Sequence, residues 1–256
     1  MSTLDIRTVN VTRYVTPLRE GGSLPAIVEA DDGFLYVIKF RGAGQGTKAL
    51  IAELIGGELA RAIDLKMPEL VFMNLDNSFS QSEGDEEIQD LLKFSVGLNL
   101  GLHFLSGSIT YDPLVSEVDA LTASKIVLLD SIITNIDRTA KNTNMLSWHK
   151  ELWLIDHGAS LYFHHNWEHW EQHLSRTFPM IKDHVLLNQA KELDTALTEI
   201  KEKITNTKVN EIVQLIPADW LGEGQDKLVY AQFLQSKLEK IDLLKKEIED
   251  AQAGNI

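Results

Sequence analysis

Between residues 9 and 40 apolar side chains recur at alternate positions and are cut by turn-forming residues, the period of strands with one buried face. Val9, Val11 and Val15 alternate with polar neighbours up to Pro17, and Glu20-Gly21-Gly22-Ser23 supplies a turn. Residues 26–30 form a second strand, and Asp31-Asp32-Gly33 turns the chain into a third over 34–40. An Asp-Gly pair between two apolar runs is a hairpin signal, because both residues tolerate positive φ. The period then changes. Leu50, Ile51, Leu54, Ile55 and Leu59 make the apolar stripe of a helix over about 47–62, entered through the glycine-bearing segment 41–46.

Met67-Pro68 closes that unit, 69–74 reads as a strand, 78–90 as a polar, acidic surface loop, and 91–96 as a strand. Gly97, Gly101 and Gly107 break up the next stretch of chain. From 115 to 134 the spacing of Val118, Leu121, Ile126, Leu129, Ile132 and Ile133 predicts a helix. A loop at 135–142 then leads into a short hairpin, with strands at 143–148 and 151–155 about the turn His149-Lys150. After an irregular, histidine-rich stretch to about 183, helices are expected at 185–204, 207–215 and 225–251, the last with a charged, solvated face. Strands first and helices later describe an α+β chain: one domain over 1–256, with a small β-rich N-terminal lobe over about 1–96 and a larger helical C-terminal lobe over about 97–256.

Composition narrows the partners. The formal net charge of −14 repels nucleic acid and anionic membrane surfaces, so neither is expected as a main partner. With no cysteine, disulfides and thiolate metal sites are excluded. The polar first ten residues hold no apolar signal core, and no apolar run approaches the ~20 residues needed to span a bilayer, so a cytoplasmic protein is expected.

The candidate chemistry lies between Asn135 and Gly158. Phosphoryl transfer needs a carboxylate near the attacking hydroxyl, oxygen ligands for Mg²⁺, and a cation on the phosphate oxygens. In Asn135-Ile136-Asp137-Arg138-Thr139-Ala140-Lys141-Asn142, an Asp and an Asn stand five residues apart in a loop after a helix; a hairpin comes next, and then Asp156-His157-Gly158. Either motif alone reads equally well as a turn. Their order (helix, Asp-x4-Asn, hairpin, Asp-x-Gly) is the order in which kinases gather a base and two metal ligands.

Upstream residues supply the nucleotide half. Lys39 lies inside the apolar strand Tyr36-Val37-Ile38-Lys39-Phe40, where a lysine is either an edge charge facing water or a buried ammonium with a partner. Glu53, fourteen residues on and in the following helix, is the candidate partner, with Glu58 as the alternative. The turn containing Gly21, Gly22 and Ser23 stands where a kinase lays its phosphate cover. Gly42-Ala43-Gly44-Gln45-Gly46-Thr47-Lys48 opens a helix and so favours anions, but it lacks the G-x4-G-K-[ST] spacing; it reads as a connector, with Lys48 as a second candidate phosphate contact.

These segments, together with Thr16-Pro17-Leu18-Arg19-Glu20-Gly21-Gly22-Ser23-Leu24-Pro25, resemble the HipA-like kinases and, more distantly, the phosphatidylinositol kinases of the same superfamily. Motif support covers roughly residues 10–165; beyond it only 216–221 and the last helix look familiar. The resemblance implies a two-lobed kinase fold using ATP and Mg²⁺. It also implies Lys39 on ATP, Asp137 as catalytic base, Asn142 and Asp156 on Mg²⁺, and a protein Ser or Thr as acceptor. A catalytically silent nucleotide-binding module and a kinase acting on a lipid or small molecule are the alternative functions. Some HipA-like proteins have an antitoxin partner, which adds a regulatory protein to the candidate partners. Three departures stand out. Ile136 occupies the place of a regulatory arginine, Thr139 that of a histidine, and His157 that of the Phe in Asp-Phe-Gly. Control by activation-loop phosphorylation through that arginine, or by a Phe packing switch, is therefore not expected.

His164, His165, His169 and His173 pose a further question. A helix over 166–174 would align His165, His169 and His173 on one face, as a zinc site requires; otherwise Phe163, Trp167 and Trp170 pack the segment down. Trp148 and Trp153, flanking the hairpin turn, read as packing residues.

Overall fold

The computed structural model describes residues 4–18, 24–82 and 84–254. Strands β1 (Thr8–Pro17), β2 (Ala26–Ala30) and β3 (Leu35–Lys39) follow the alternating pattern. Helix α1 (Gly46–Ala62) and strand β4 (Leu70–Leu75) come next. With β5 (Gly97–His103), the five strands close a barrel in the order β1-β2-β3-β5-β4. All neighbours are antiparallel except β1 and β4. Val9, Val11, Val28, Tyr36, Ile38, Val71 and Met73 fill the barrel. Alternation along β3 buries Tyr36 and Ile38 and turns Val37 and Lys39 to the opposite face. Gly101 in β5 is required by close approach: a Cβ there would lie 2.3 Å from Met73 Sδ.

Three sequence expectations are corrected in this region. The segment 78–90 is not a loop but two short helices, α2 (Ser78–Ser82) and the start of α3 (Glu86–Phe94). Asp85 caps α3 by accepting hydrogen bonds from the N–H groups of Glu87 and Ile88, and the buried Ile88 and Leu92 pack onto the barrel core. Residues 91–94 therefore end this helix rather than begin a strand, and the glycine-rich stretch after it is strand β5.

A second, larger core is built from helices. After β6 (Ile109–Thr110), helix α4 (Ala120–Ile133) begins five residues later than its apolar periodicity suggests, because Asp119 caps it through the N–H of Thr122. Every residue of α4 from Ala123 to Ile133 is buried, the mark of a central helix packed on all sides. Strands β7 (Met145–Trp148) and β8 (Glu151–Leu154) form the expected hairpin, with β6 added at its edge. The 185–204 helix is shorter than expected, α5 (Leu193–Lys203), and α6 (Asn206–Gln214) comes after it. The last long helix is two, α7 (Leu228–Glu239) and α8 (Ile241–Gln252), parted at Lys240. Among the described residues, no helix is long and apolar enough to cross a membrane.

Candidate active site

Lys39 leaves β3 toward α1 and meets two carboxylates: its Nζ lies 2.7 Å from Glu53 Oε2 and 2.5 Å from Asp156 Oδ1. Glu53 is fully buried although it is charged, since residues 50–60 of α1 are all enclosed. Burial lowers the pKa of Lys39, but the charges of Asp156 and Glu53 outweigh it and hold the ammonium above the usual lysine range. Glu53 shows the converse. Burial raises its pKa, while the charge of Lys39 and a hydrogen bond from His157 bring it well below the carboxylate range. Glu58 does not join this pair; it is buried, with Arg61 Nη1 as its ion partner at 3.6 Å.

The loop after α4 places the second group. Thr134 ends the helix in the left-handed region at φ 54°, and the side-chain carbonyl of Asn135 accepts the N–H of Asp137 at 3.1 Å. Asp137 Oδ2 accepts hydrogen bonds from the amides of Asn142 at 2.8 Å and Asn144 at 3.2 Å. Asn144 also reaches the Asp156 backbone carbonyl at 3.5 Å, which ties the two loops together. Asp156 is itself left-handed (φ 57°), and its side chain is 46% exposed. Lys39 thus contacts both Glu53 and Asp156, and Asn142 contacts Asp137.

The remaining candidates are arranged differently. Lys48 lines a cleft of about 640 Å³ with residues 43–47, Tyr162 and His165, a lining that shares no residue with the Lys39 or Asp137 clusters. Gly21, Gly22 and Ser23 lie outside the described residues. The histidine segment forms no zinc face. It is a 3₁₀ helix (Tyr162–His173) kinked at Asn166 and His169, and the described residues contain no metal-ligating cluster. Phe163 is buried there, with Trp167 and Trp170 packed against the same core. Trp148 and Trp153 pack edge to face, their ring centroids 5.2 Å apart.

Sequence reasoning missed a set of buried polar residues behind the site. Arg138, wholly enclosed, donates from Nε to Asp130 Oδ2 at 2.6 Å and from Nη1 to the Asn144 carbonyl at 2.5 Å. Its Nη2 lies 3.1 Å from His157 Nε2, which must act as the acceptor, since a guanidinium has only donors. Asp130 also receives Asn135 Nδ2 at 3.1 Å and His184 Nε2 at 3.0 Å. The backbone N–H of His157 donates to Glu53 Oε2 at 2.7 Å. The one sequence signal was Asp130, a carboxylate inside the apolar run of α4 that can be buried only with partners.

The family model described as HipA-like kinase matches residues 11–250. The fold is similar to the Helicobacter pylori proinflammatory kinase CtkA, with a TM-score of 0.58 and 14% identity over 96% of this chain and 98% of that one. It is also similar to the Golgi casein kinase, solved with Mn and ADP bound, with a TM-score of 0.55 and 11% identity over 98% of this chain and 74% of that one. At such identities the likeness is one of fold, which is protein-kinase-like. No curated protein matches the chain.

Proposed function

This chain belongs to the HipA-like kinase family, and on that premise we propose that it transfers the γ-phosphate of ATP, with Mg²⁺, to a serine or threonine hydroxyl of a protein. The observation that carries the reading is the joining of Lys39, Glu53 and Asp156 next to the Asp137–Asn142 pair. Two lobes clasp the nucleotide in this reading. The smaller holds the barrel and extends through β5 to His103, the larger holds the helical core, and the protein works in the cytoplasm.

Lys39 binds the nucleotide phosphates while Glu53 fixes its direction, so the ammonium is held in place before the nucleotide arrives. The donor set suits a hard cation. Asp156 keeps Oδ2 unengaged while Oδ1 meets Lys39, and Asn142 uses its amide N–H₂ on Asp137, leaving its carbonyl oxygen available. Mg²⁺ held there would neutralise charge on the phosphate oxygens. Asp137 keeps Oδ1 for the acceptor hydroxyl, whose proton it takes, because two amides engage Oδ2. Gly21, Gly22 and Ser23 cover the phosphates in this proposal, and Lys48 offers a further cation at the edge of the site.

The test is transfer of labelled phosphate from ATP to proteins of a cell lysate. Asp137→Asn and Asp156→Asn should each remove labelling while circular dichroism and melting stay near the parent. Full labelling by either variant would sink the assignment.

A further inference from the structure

Arg138 occupies the centre of the space between the base loop and the Asp156 turn, and it spends its donors on both. Nε binds the end of α4 through Asp130, and Nη1 binds the carbonyl of Asn144 at 2.5 Å and faces that of Ile155 at 3.4 Å. Nη2 meets His157 Nε2 at 3.1 Å. His157 in turn touches α1: its backbone N–H bonds Glu53 Oε2, and its ring Nδ1 faces Glu53 Oε1 at 3.9 Å. Arg138, His157, Asp130 and Glu53 are all buried. An unbroken polar chain therefore runs from His184 through Asp130, Arg138 and His157 to Glu53 and Lys39.

The backbone around this hub is strained at the points the hub touches. Thr134, Asn144 and Asp156 all have positive φ, at 54°, 49° and 57°. Such backbone conformations are unfavourable for side chains with a Cβ and persist only where their surroundings over-determine them. Arg138 binds the Asn144 carbonyl directly, and Asp130 accepts Asn135 next to Thr134. Asp156 is flanked by Ile155 and His157, both within reach of the guanidinium.

We propose that Arg138 and His157 are positioning residues: through the Arg138–His157 hydrogen bond they set the base loop and the Asp156 turn in one register with the Lys39–Glu53 pair. Neither touches substrate, so their effect falls on turnover rather than on nucleotide affinity. Moving His157 out of its place leaves Arg138 Nη2 buried without an acceptor, and that penalty keeps the turn assembled with or without a ligand. The inference rests on the kinase reading of the site.

The test uses two polar variants of similar size. A glutamine can place an oxygen where His157 Nε2 stands, whereas an asparagine reaches only the Nδ1 position. His157→Gln should keep kcat within about threefold of the parent, and His157→Asn should lower it roughly tenfold or more, with the KM for ATP changed less than about threefold in both. Hydrogen exchange of residues 152–160 in the ligand-free protein is the second readout, and it should quicken in His157→Asn but not in His157→Gln. Equal behaviour of the two variants in kcat and exchange overturns the proposal, as does a rise in KM at constant kcat or a failure of His157→Gln to fold. If the parent protein transfers no phosphate, the kinase reading fails, and the exchange contrast alone still decides whether Arg138 and His157 hold the turn.

Discussion

Glu53 Oε2 lies 2.7 Å from Lys39 Nζ, and the Glu53 side chain has no exposure to solvent. The attraction is strong because the Glu53 carboxylate is shut off from solvent, and for the same reason it is costly to break. Lys39→Met leaves a buried carboxylate opposite an alkyl chain and should destabilise the fold by about 3 kcal/mol, the range for an orphaned buried charge. Glu53→Gln should cost less, since Lys39 retains Asp156 at 2.5 Å. The double variant should be more stable than Lys39→Met alone, because the stranded charge is gone. Urea unfolding of the three variants measures this, and a double variant less stable than Lys39→Met would show that Glu53 is not the stranded group.

Two adjacent glycines of α1 should respond differently to the same change. In a helix interior, alanine is normally better than glycine by about 0.5–1 kcal/mol. At Gly56 an added Cβ would lie 2.7 Å from His157 Cβ and 2.8 Å from its Cγ, atoms fixed close to the backbone. At Gly57 the nearest atoms are Leu70 Cδ1 at 2.8 Å and Met67 Cε at 3.0 Å, the far ends of flexible side chains. Gly56→Ala should therefore cost about 1–3 kcal/mol and reduce turnover by pushing the Asp156 turn, while Gly57→Ala stays within about 1 kcal/mol of the parent. Denaturation midpoints and kcat for both variants check it; equal effects would remove Gly56 from the α1–His157 contact.

Much of this was legible in the sequence, for physical reasons that also explain the gaps. The period of two over 26–39 exposed β2 and β3, and Lys39 stood out as a charge in an apolar strand. The Asp-x4-Asn and Asp-x-Gly motifs are local in sequence, so their spacing survives without a structure. Strand β5 was hidden because Gly97 and Gly101 look like breakers, although Gly101 is there for close contact with Met73. Helix α3 was hidden because its nine residues bury only Ile88 and Leu92 beneath a charged exterior. The Arg138 hub was invisible for a different reason. It joins Asp130, Asn144 and His157, and through Asp130 reaches His184; these come from different elements, and polar contacts between elements carry no periodic signal.

Trp220 ties the C-terminal helices to the barrel. Its indole N–H donates to the Leu98 carbonyl at 3.0 Å, its ring meets Phe72 edge to face, and its own carbonyl accepts the Thr47 hydroxyl at 2.7 Å. Trp220→Phe loses the indole bond and part of the ring, which together should cost about 1–3 kcal/mol. The adjacent Arg41–Asp219 ion pair, 2.7 Å long, is partly exposed and contributes far less. Arg41→Ala should cost below about 1 kcal/mol, as surface pairs do. Urea unfolding ranks the two variants, and the reverse order would mean that the ion pair, not the indole, attaches the barrel.

Two buried histidines predict how stability changes with acid. His164 has no solvent exposure, and its Nδ1 is 3.4 Å from the Tyr230 hydroxyl. Burial first, and then the charges of His165 and Lys48, hold its pKa well below the usual histidine value. His184 is also lowered, because burial outweighs its hydrogen bond to Asp130. In the unfolded chain both titrate near about 6.5. Below that pH the unfolded state takes up protons that the folded state refuses, so stability must fall as the pH drops toward the folded values. His164→Gln removes one of these protons and should make the decline between about pH 7 and 5 shallower. Unfolding free energies across that range measure the slope. An unchanged slope in the variant would mean that His164 takes up its proton in the folded protein as readily as in the unfolded chain.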